Sequence, residues 1–381
     1  MCYSNKKWGG KLEVMSMFDF STLEEQNITI NHSTSSSSFM LMHKDIPLIF
    51  IDEDKELFEV FYDNYHFLPY GLKAYNNLKY VHFVNWAVAR VLLLDRDNAK
   101  KLLNACNLSQ IDNYSVAKAC RLLSIDDCFW LSENDGEKWD DFNLRKNSLS
   151  KALAQIALEG VYITISGDVT TPEFTNQGSF PKSWNRSNDA LYLLKKSKEH
   201  CESEREVLAS KILDLLGVNH VGYCMQEPKS NHICMCECMT SDKYSRLNFG
   251  EFRFYCKEKG VSALSIINEH YYKEFAEMLV VDYILANTDR HSGNWGFYVD
   301  NDIGNIVSLH PLYDHNNSFD ETFTDEYRSV ILPGISMLSA AMTAQKDVKL
   351  PLEKLLSLDK RLFIECEADY HSFIKRVNRL L

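Results

Sequence analysis

The segment from Trp295 to Pro311 most constrains what this chain can fold into. Two short apolar runs there flank Asp300–Asn305, whose Asp, Asn and Gly content is typical of a hairpin turn. If the turn centres near Ile303, antiparallel pairing brings Asp314 back beside Ser292–Asn294. Any fold of this chain must then place these two polar segments next to each other.

The segment Ala286–Gly296, which ends a predicted helix and begins a strand, carries the residues best suited to chemistry. Asp289 and Asn294 are five positions apart, which is the spacing of the catalytic Asp and the metal-binding Asn in kinase catalytic loops. Asn294 and Asp314 offer oxygen atoms to Mg²⁺, which takes few protein ligands beside phosphate and water. Asp289 is then left to act as a base. On local chemistry alone, a polar turn at a helix end is the alternative.

Two neighbours in this segment are interpreted as bracing residues. We expect Arg290 to form a local ion pair rather than to bind phosphate. We expect His291 to be neutral and to hold the loop through hydrogen bonds rather than to shuttle protons.

Phosphoryl transfer also needs a cation on the phosphates, and a predicted strand ends at Lys195. Its competitor is Lys196, because a shift of one residue turns a strand side chain to the opposite face. On the helix that follows, Glu206 is expected to orient the lysine. Glu202 and Glu204 are its rivals, and the Glu-Val-Leu-Ala-Ser context favours Glu206.

The turn Gln177–Lys182 is a candidate to cover the phosphates. Gly178 would permit close approach of the backbone, and Lys182 would add positive charge or remain a surface lysine. The hydroxyl residues Thr175 and Ser179 are typical turn formers rather than modification sites.

These residues together resemble the HipA-like serine/threonine kinases, and in particular a Firmicutes-type branch of that family. The resemblance covers roughly residues 40 to 340. Its anchors, which follow one another in the family's order, are Gly178–Trp184, Leu191–Lys195, Glu206–Ser210, Ala286–Gly296 and His310–Asn316.

The resemblance implies an α+β, bilobal protein-kinase-like (HipA-like) fold with a β-containing N-terminal lobe and an all-helical C-terminal lobe. It implies ATP and Mg²⁺ as cofactors, Asp289 as the catalytic base, and Asn294 and Asp314 as the Mg²⁺ ligands. Glu206 would pair with the ATP-phosphate lysine. The residues expected to bind ATP are Lys195, Glu206, Gly178, Ser179, Lys182 and Glu237, the last as part of the adenine-side hinge.

The chain departs from the better-known HipA toxins in its phosphate turn. It has Gln177–Lys182 in place of their Gly-Ala-Gln-x-Lys form, so their autophosphorylation of this loop is not carried over. No helix-turn-helix is identifiable in the sequence. A fused DNA-binding antitoxin is therefore not expected, and an antitoxin-type protein remains a candidate partner.

The 381 residues exceed what one hydrophobic core usually serves. We expect a flexible tail at 1–39, an accessory region at 40–150, a nucleotide-binding lobe at 151–240 and a helical catalytic lobe at 241–381.

The periodicity of apolar residues predicts strands and helices along the chain. The predicted strands are Pro47–Asp52, Phe58–Tyr62, Val161–Ser166, Ala190–Lys195 and Ile233–Met239. The predicted helices are Glu202–Leu216, Phe249–Lys259, His270–Ala286 and Leu352–Leu380.

The composition of the chain indicates which kinds of partner and which cellular compartment to expect. A net charge of -12 argues against a broad basic face for nucleic acid. The sequence has neither a signal-peptide pattern nor an apolar run long enough to span a membrane, so we expect a cytoplasmic protein without membrane contact. Cys234, Cys236 and Cys238 share one strand face and are interpreted as buried apolar side chains rather than a zinc site.

Two other functions stay open. Lipid kinases also use an Asp-Arg-His-x-x-Asn string, so a phosphoinositide or small-molecule kinase is the first alternative, although the acidic balance weighs against a lipid substrate. The second is a nucleotide-binding pseudokinase that acts as a regulatory partner. Such a protein would be expected to lack a base or a metal ligand, and here the candidates for both are present.

Overall fold

The computed structural model describes residues 37–92, 96–108, 112–162, 171–176, 178–198 and 201–381. Most of the predicted tail, most of the strand predicted at Val161–Ser166, and Gln177 lie outside these ranges. Three antiparallel sheets and a larger number of helices make the described part an α+β structure.

The first sheet belongs to the accessory region, the name kept here for residues 40–150. Its strands are β1 (Ser38–His43), β2 (Ile46–Asp52), β3 (Leu57–Val60) and β4 (Phe129–Ser132), in the order β3-β2-β1-β4. The sequence predicted β2 and β3 closely. It missed β1 and β4. β4 is a short strand whose Leu131 pairs with Leu41 of β1, and that partner is distant in the chain.

Helices pack on this sheet and fill one core with it. They are α1 (Tyr70–Lys73), α2 (Tyr80–Ala89), α3 (Ala99–Ala105), α4 (Asn113–Ala119) and α6 (Lys151–Glu159), while α5 (Trp139–Phe142) packs in a separate core with Trp130 of β4. Leu41, Phe83 and Val116 are buried together in this core. Burial of such apolar side chains is the main favourable term in folding.

The second sheet consists of β5 (Lys182–Ser187), β6 (Ala190–Lys196), β7 (Tyr223–Met225) and β8 (Ile233–Glu237), with α7 (Glu202–Leu216) packed against it. The strand order is β5-β6-β8-β7. β6 pairs with β5 on one side and with β8 on the other. Asn188 and Asp189 both have positive φ, 48° and 63°, and so form a tight two-residue hairpin turn. This turn places Lys182 opposite Lys195.

The interpretation of the cysteine cluster is confirmed for two of its members. Cys234 and Cys236 are buried in β8 beside Val207 of α7. Cys238 follows the end of β8 and contacts Thr240. In the ranges that the structure covers, no group of three or more His, Cys, Asp or Glu side chains is arranged to hold a metal ion.

The C-terminal part is mainly helical, but the expectation of an all-helical lobe is wrong. Its helices are α8 (Phe249–Glu258), α9 (Ala263–His270), α10 (Tyr272–Leu285), α11 (Met337–Val348), α12 (Arg361–Ile364) and α13 (Tyr370–Leu380). A third sheet joins them, with strands β9 (Tyr244–Asn248), β10 (Gly296–Asp300) and β11 (Asn305–Leu309) in the order β11-β10-β9.

This third sheet contains the predicted hairpin, which is confirmed as β10 and β11. The strand missed by the sequence is β9, which pairs with β10 so that Asn248 faces Gly296. A Cβ atom on Gly296 would lie 2.1 Å from the Leu247 carbonyl oxygen. Glycine is therefore needed for the close approach of the two backbones at the end of the Ala286–Gly296 segment.

The helix predicted over Leu352–Leu380 is interrupted. It consists of the 3-10 helix Leu352–Ser357 followed by α12 and α13. Asp369 begins α13 by accepting hydrogen bonds from the backbone N–H groups of His371 and Ser372. Throughout the described ranges, no helix has the length and apolar character that crossing a lipid bilayer requires.

The accessory region contacts both other parts of the chain. Toward the C-terminal part, the Gly71 N–H donates to Glu251 Oε1 at 2.6 Å, and Lys73 Nζ donates to the Gly304 carbonyl at 3.2 Å. Toward the second sheet, Arg186 Nη2 donates to the Leu144 carbonyl at 3.0 Å. The accessory region therefore joins the two parts that carry the candidate site.

Candidate active site

The loop that follows α10 is held by the buried side chain of Arg290. The guanidinium Nε and Nη2 donate to Asp282 on α10, at 3.1 and 3.0 Å. Its Nη1 donates to the carbonyl oxygens of Asn294 at 2.8 Å and Tyr313 at 2.6 Å. The predicted bracing role of Arg290 is confirmed by these contacts. His291 also makes a local contact, because its Nδ1 accepts the Gly293 N–H at 3.0 Å.

The same contacts show where the hairpin returns. One nitrogen of Arg290 bonds the carbonyl of Asn294 and the carbonyl that directly precedes Asp314. The Tyr313 hydroxyl also donates to the Gly293 carbonyl at 2.7 Å. The juxtaposition predicted from the hairpin is therefore present.

Asp289 is oriented by two asparagines. Asn294 Nδ2 donates to the Asp289 carbonyl oxygen at 3.0 Å, and Asn317 Nδ2 donates to the carboxylate Oδ2 at 2.8 Å. The sequence analysis missed Asn317, although it directly follows the quoted His310–Asn316 anchor. A carboxylate with one oxygen held in this way keeps the other available to accept a proton.

Lys195 of β6 lies between two carboxylates that come from different parts of the chain. Its Nζ donates to Glu206 Oε2 at 3.1 Å and to Asp314 Oδ1 at 2.7 Å. Burial alone would lower the pKa of Lys195, but Asp314 and Glu206 raise it well above its ordinary value. Burial would likewise raise the pKa of Asp314, yet Lys195 and Lys182 hold that pKa well below its ordinary value. Both groups are therefore charged at neutral pH.

The residues that the sequence offered as alternatives to Lys195 and Glu206 have other partners. Lys196 pairs with Glu159 on α6, and Glu204 pairs with His232 at 2.7 Å. Glu206, by contrast, is fully buried and also accepts the His315 N–H at 3.0 Å. The structure thus brings Lys195 and Glu206, rather than their neighbours, to Asp314.

The predicted phosphate turn lies beside this cluster. Gly178 has a φ of 96°, and a Cβ atom there would lie 2.5 Å from Lys182 Nζ. Burial lowers the pKa of Lys182 to about 7, with Lys195 and Arg96 adding to the effect and Asp314 opposing it. Ser179 is exposed. The backbone at Gly178 therefore allows the lysine to fold back over the turn, toward the Lys195–Asp314 pair.

Glu237 is the predicted site residue that the structure keeps apart. It is exposed at the end of β8, where it faces Tyr192 of β6. The contacts described for Lys195 and Asp314 do not include it. Its predicted place at the hinge is compatible with the segment that leads from β8 to β9, but this stays a prediction.

Asn294 and Asp314 form a donor set that fits Mg²⁺. The Asn294 amide nitrogen donates to the Asp289 carbonyl, which leaves the amide oxygen available to a cation. Asp314 uses Oδ1 for Lys195, and its side chain is 24% exposed. One amide and one carboxylate suit a cation that keeps phosphate and water in its other positions.

Comparison with known proteins places this site in a kinase-like domain. Residues 186–340 match the family described as phosphatidylinositol 3- and 4-kinase, a span that includes Lys195, Glu206, Asp314 and the segment Ala286–Gly296. A search of curated proteins found no match.

The solved structures that are similar to the chain include two kinase-related proteins. One belongs to the Shewanella oneidensis MR-1 toxin–antitoxin complex of HipA, HipB and operator DNA, with a TM-score of 0.52, 13% identity, and coverage of 90% of this chain and 96% of that one. The other is the Helicobacter pylori proinflammatory kinase CtkA, with a TM-score of 0.42, 18% identity, and coverage of 54% and 90%. The first likeness shows the fold, so the predicted kinase-like α+β class is confirmed.

Proposed function

We propose that this kinase-like domain is a HipA-like protein serine/threonine kinase that transfers the γ-phosphate of ATP to a protein hydroxyl group with bound Mg²⁺. The observation that carries the proposal is the contact of Lys195 with both Glu206 and Asp314. A lysine oriented by a helix glutamate, next to a metal-ligand aspartate, is the phosphate-positioning arrangement of protein kinases.

Each side chain then has a task. Asp289, held through Asn317, accepts the proton of the incoming hydroxyl. Lys195 and Lys182 attract the ATP phosphates, with Glu206 fixing the position of Lys195. When bound by Asn294 and Asp314, Mg²⁺ would offset the negative charge that develops on the phosphate oxygens. Most of the expected rate enhancement is positioning and electrostatic stabilisation.

The charge of the cleft beside Asp289 supports a protein substrate over a phosphoinositide. Its described lining consists of Arg205, Thr288, Asp289, Asn317, Asp320, Glu321 and Glu367. Four carboxylates against one guanidinium would repel an anionic inositol phospholipid headgroup. A polypeptide with basic residues near its hydroxyl is better suited to this cleft.

A regulatory partner is a further part of the proposal. The similar HipA structure was solved with HipB and operator DNA, so we propose an antitoxin-type protein as a candidate partner. Co-purification of the tagged chain with the product of a neighbouring gene would test this point separately from the activity.

The activity itself is tested with γ-labelled ATP and three acceptors. These are a serine peptide flanked by Arg and Lys, the same peptide with Glu in their place, and vesicles that contain phosphatidylinositol. We expect label on the basic peptide, and about 10²-fold less or lower still from an Asp289→Ala variant. Label on the vesicles alone would favour a lipid kinase, and ATP binding without transfer to the peptides, the vesicles or proteins of a cell lysate would favour a pseudokinase.

A further inference from the structure

Arg96, in the accessory region, donates hydrogen bonds to backbone carbonyls at both ends of the predicted phosphate-covering turn, Gln177–Lys182. It is only 3% exposed. Its Nη1 donates to the carbonyl oxygens of Asn176 at 2.9 Å and Glu173 at 3.4 Å, and its Nη2 donates to the Lys182 carbonyl at 2.7 Å. One planar group therefore fixes the separation between the residue before Gln177 and the residue that ends the turn.

The neighbours of Arg96 add to this attachment. The Asp97 N–H donates to the Ser179 carbonyl at 3.4 Å, and the Leu92 N–H donates to the Phe174 carbonyl at 2.8 Å. Thr175 Oγ1 donates to the Leu123 carbonyl at 2.8 Å. The turn thus rests on accessory-region backbone, and its position depends on a part of the chain outside the predicted nucleotide-binding lobe.

The shape of the guanidinium group matters here. A rigid fork with several N–H donors can bond carbonyls on both sides of the turn at once, whereas an ammonium group at the end of a flexible chain lacks that fixed geometry. Loss of the fork would leave one buried and two partly buried carbonyl oxygens without this partner, which costs free energy until the turn moves. The turn would then move with respect to Lys195 and Asp314.

We propose that Arg96 is a positioning residue that holds the Gly178–Lys182 turn over the ATP phosphates and so gives the accessory region a part in phosphoryl transfer. The inference rests on the proposed function, because it takes the turn to be the phosphate-covering element. Arg96 acts through the turn and does not itself touch ATP.

The test compares Arg96→Lys and Arg96→Ala with the control Arg121→Lys. Arg121 is also an accessory-region arginine that bonds a carbonyl, that of Leu131 at 3.3 Å, and a carboxylate, that of Glu137 at 2.9 Å. The measurements are the KM for ATP, the inhibition constant of adenosine, and the thermal unfolding midpoint. Methylguanidinium is added to Arg96→Ala to replace the lost group.

We expect the KM for ATP to rise by about 10-fold or more in both Arg96 variants, because small displacements at a reacting centre are costly. Adenosine, which has no phosphate, should inhibit the variants and the parent alike, and methylguanidinium should lower the KM of Arg96→Ala. Arg121→Lys should match the parent in the KM for ATP and in the inhibition by adenosine.

Three results would overturn the inference. They are an unchanged KM for ATP, equal losses for ATP and adenosine, and failure of both Arg96 variants to fold, which would assign Arg96 to general stability. If the parent and Arg96→Lys transfer phosphate equally well, only the positioning role of Arg96 is rejected. Parent protein that does not bind ATP rejects the proposed function as well.

Discussion

Lys195 and Asp314 are 119 positions apart in the chain and form a 2.7 Å hydrogen-bonded ion pair. The lysine comes from the second sheet and the aspartate from the segment that follows the hairpin of the third sheet. Glu206 approaches the same ammonium from α7 at 3.1 Å. Three separate elements must therefore be folded before this cluster exists.

The first prediction tests the strand register. Lys195→Ala should slow phosphoryl transfer by about 10²-fold, because the ATP phosphates lose their main cation. Lys196→Ala is the matched control, since Lys196 pairs with Glu159, and it should leave the rate close to that of the parent. Initial rates at saturating Mg²⁺ would show the contrast. The reverse pattern would mean that Lys196, on the opposite face of β6, is the lysine that binds the phosphates.

The second prediction concerns Asp314→Asn. The variant should retain the fold, because Glu206 still neutralises Lys195, and should lose at least about 10²-fold of Mg²⁺-dependent transfer, because a charged ligand is removed. Circular dichroism would check the fold, and a Mg²⁺ titration of activity would check the ligand. A titration curve like that of the parent would exclude Asp314 as a metal ligand.

The third prediction separates binding from chemistry at Asp289. Asp289→Ala should keep the affinity for Mg·ATP within several-fold while transfer falls by about 10²-fold or more. Asn317→Ala retains the carboxylate but loses the 2.8 Å hydrogen bond that orients it, so it should fall between the parent and Asp289→Ala. Calorimetry and a transfer assay on the same preparations decide the point. If ATP affinity and transfer fell together, Asp289 would belong to the nucleotide site.

The fourth prediction is about stability. Asp282→Ala would leave Arg290 buried without its carboxylate, since the two side chains are 3% and 2% exposed. We expect a loss of about 3 kcal/mol or more in the free energy of unfolding. Lys273→Ala, which breaks the surface pair with Glu277, should cost less than about 0.5 kcal/mol. Urea denaturation of both variants measures this, and similar small losses would mean that the buried pair contributes little.

The fifth prediction is a pH dependence at Glu173, which is 1% exposed. Burial raises its pKa from 4.5 to about 7. Between these values the folded state keeps a proton that the unfolded state has lost, so the stability from Glu173 falls as pH rises through this window. Glu173→Gln should become more stable than the parent by up to about 3 kcal/mol above pH 7.

Urea denaturation of Glu173→Gln and the parent at several pH values between 4.5 and 8 tests this difference. The variant keeps an oxygen to accept the Trp184 N–H, which the parent bonds at 2.9 Å. The exposed Glu365→Gln serves as a control and should show no such trend. A constant difference between the variant and the parent would contradict a raised pKa at Glu173.

The local sequence pattern was sufficient to predict those elements whose structure depends on residues close together in the chain. The helix Glu202–Leu216 was predicted at both ends, because its apolar stripe is regular and Gly217 takes the left-handed conformation that ends it. The hairpin was predicted because its turn residues lie between two apolar runs. The same hairpin also predicted that the two segments joined by Arg290 and Tyr313 lie side by side.

Distant pairing explains part of what was missed. β4, β5 and β9 are short or polar, and β4 and β9 become strands only beside partners far along the chain. The two-residue turn at Asn188 and Asp189 had a recognisable signal, which the sequence analysis did not use. Nothing local distinguishes Asn317 from its neighbours, since its partner Asp289 lies 28 positions away.

The attachment of the accessory region to both other parts affects how the molecule unfolds. Its bonds reach Glu251 and Gly304 on one side and Glu173, Asn176 and Lys182 on the other. Detaching this region would expose apolar surface and leave buried carbonyl groups unbonded, which is costly at every contact. We therefore expect heat or denaturant to melt the described parts in one cooperative transition rather than lobe by lobe.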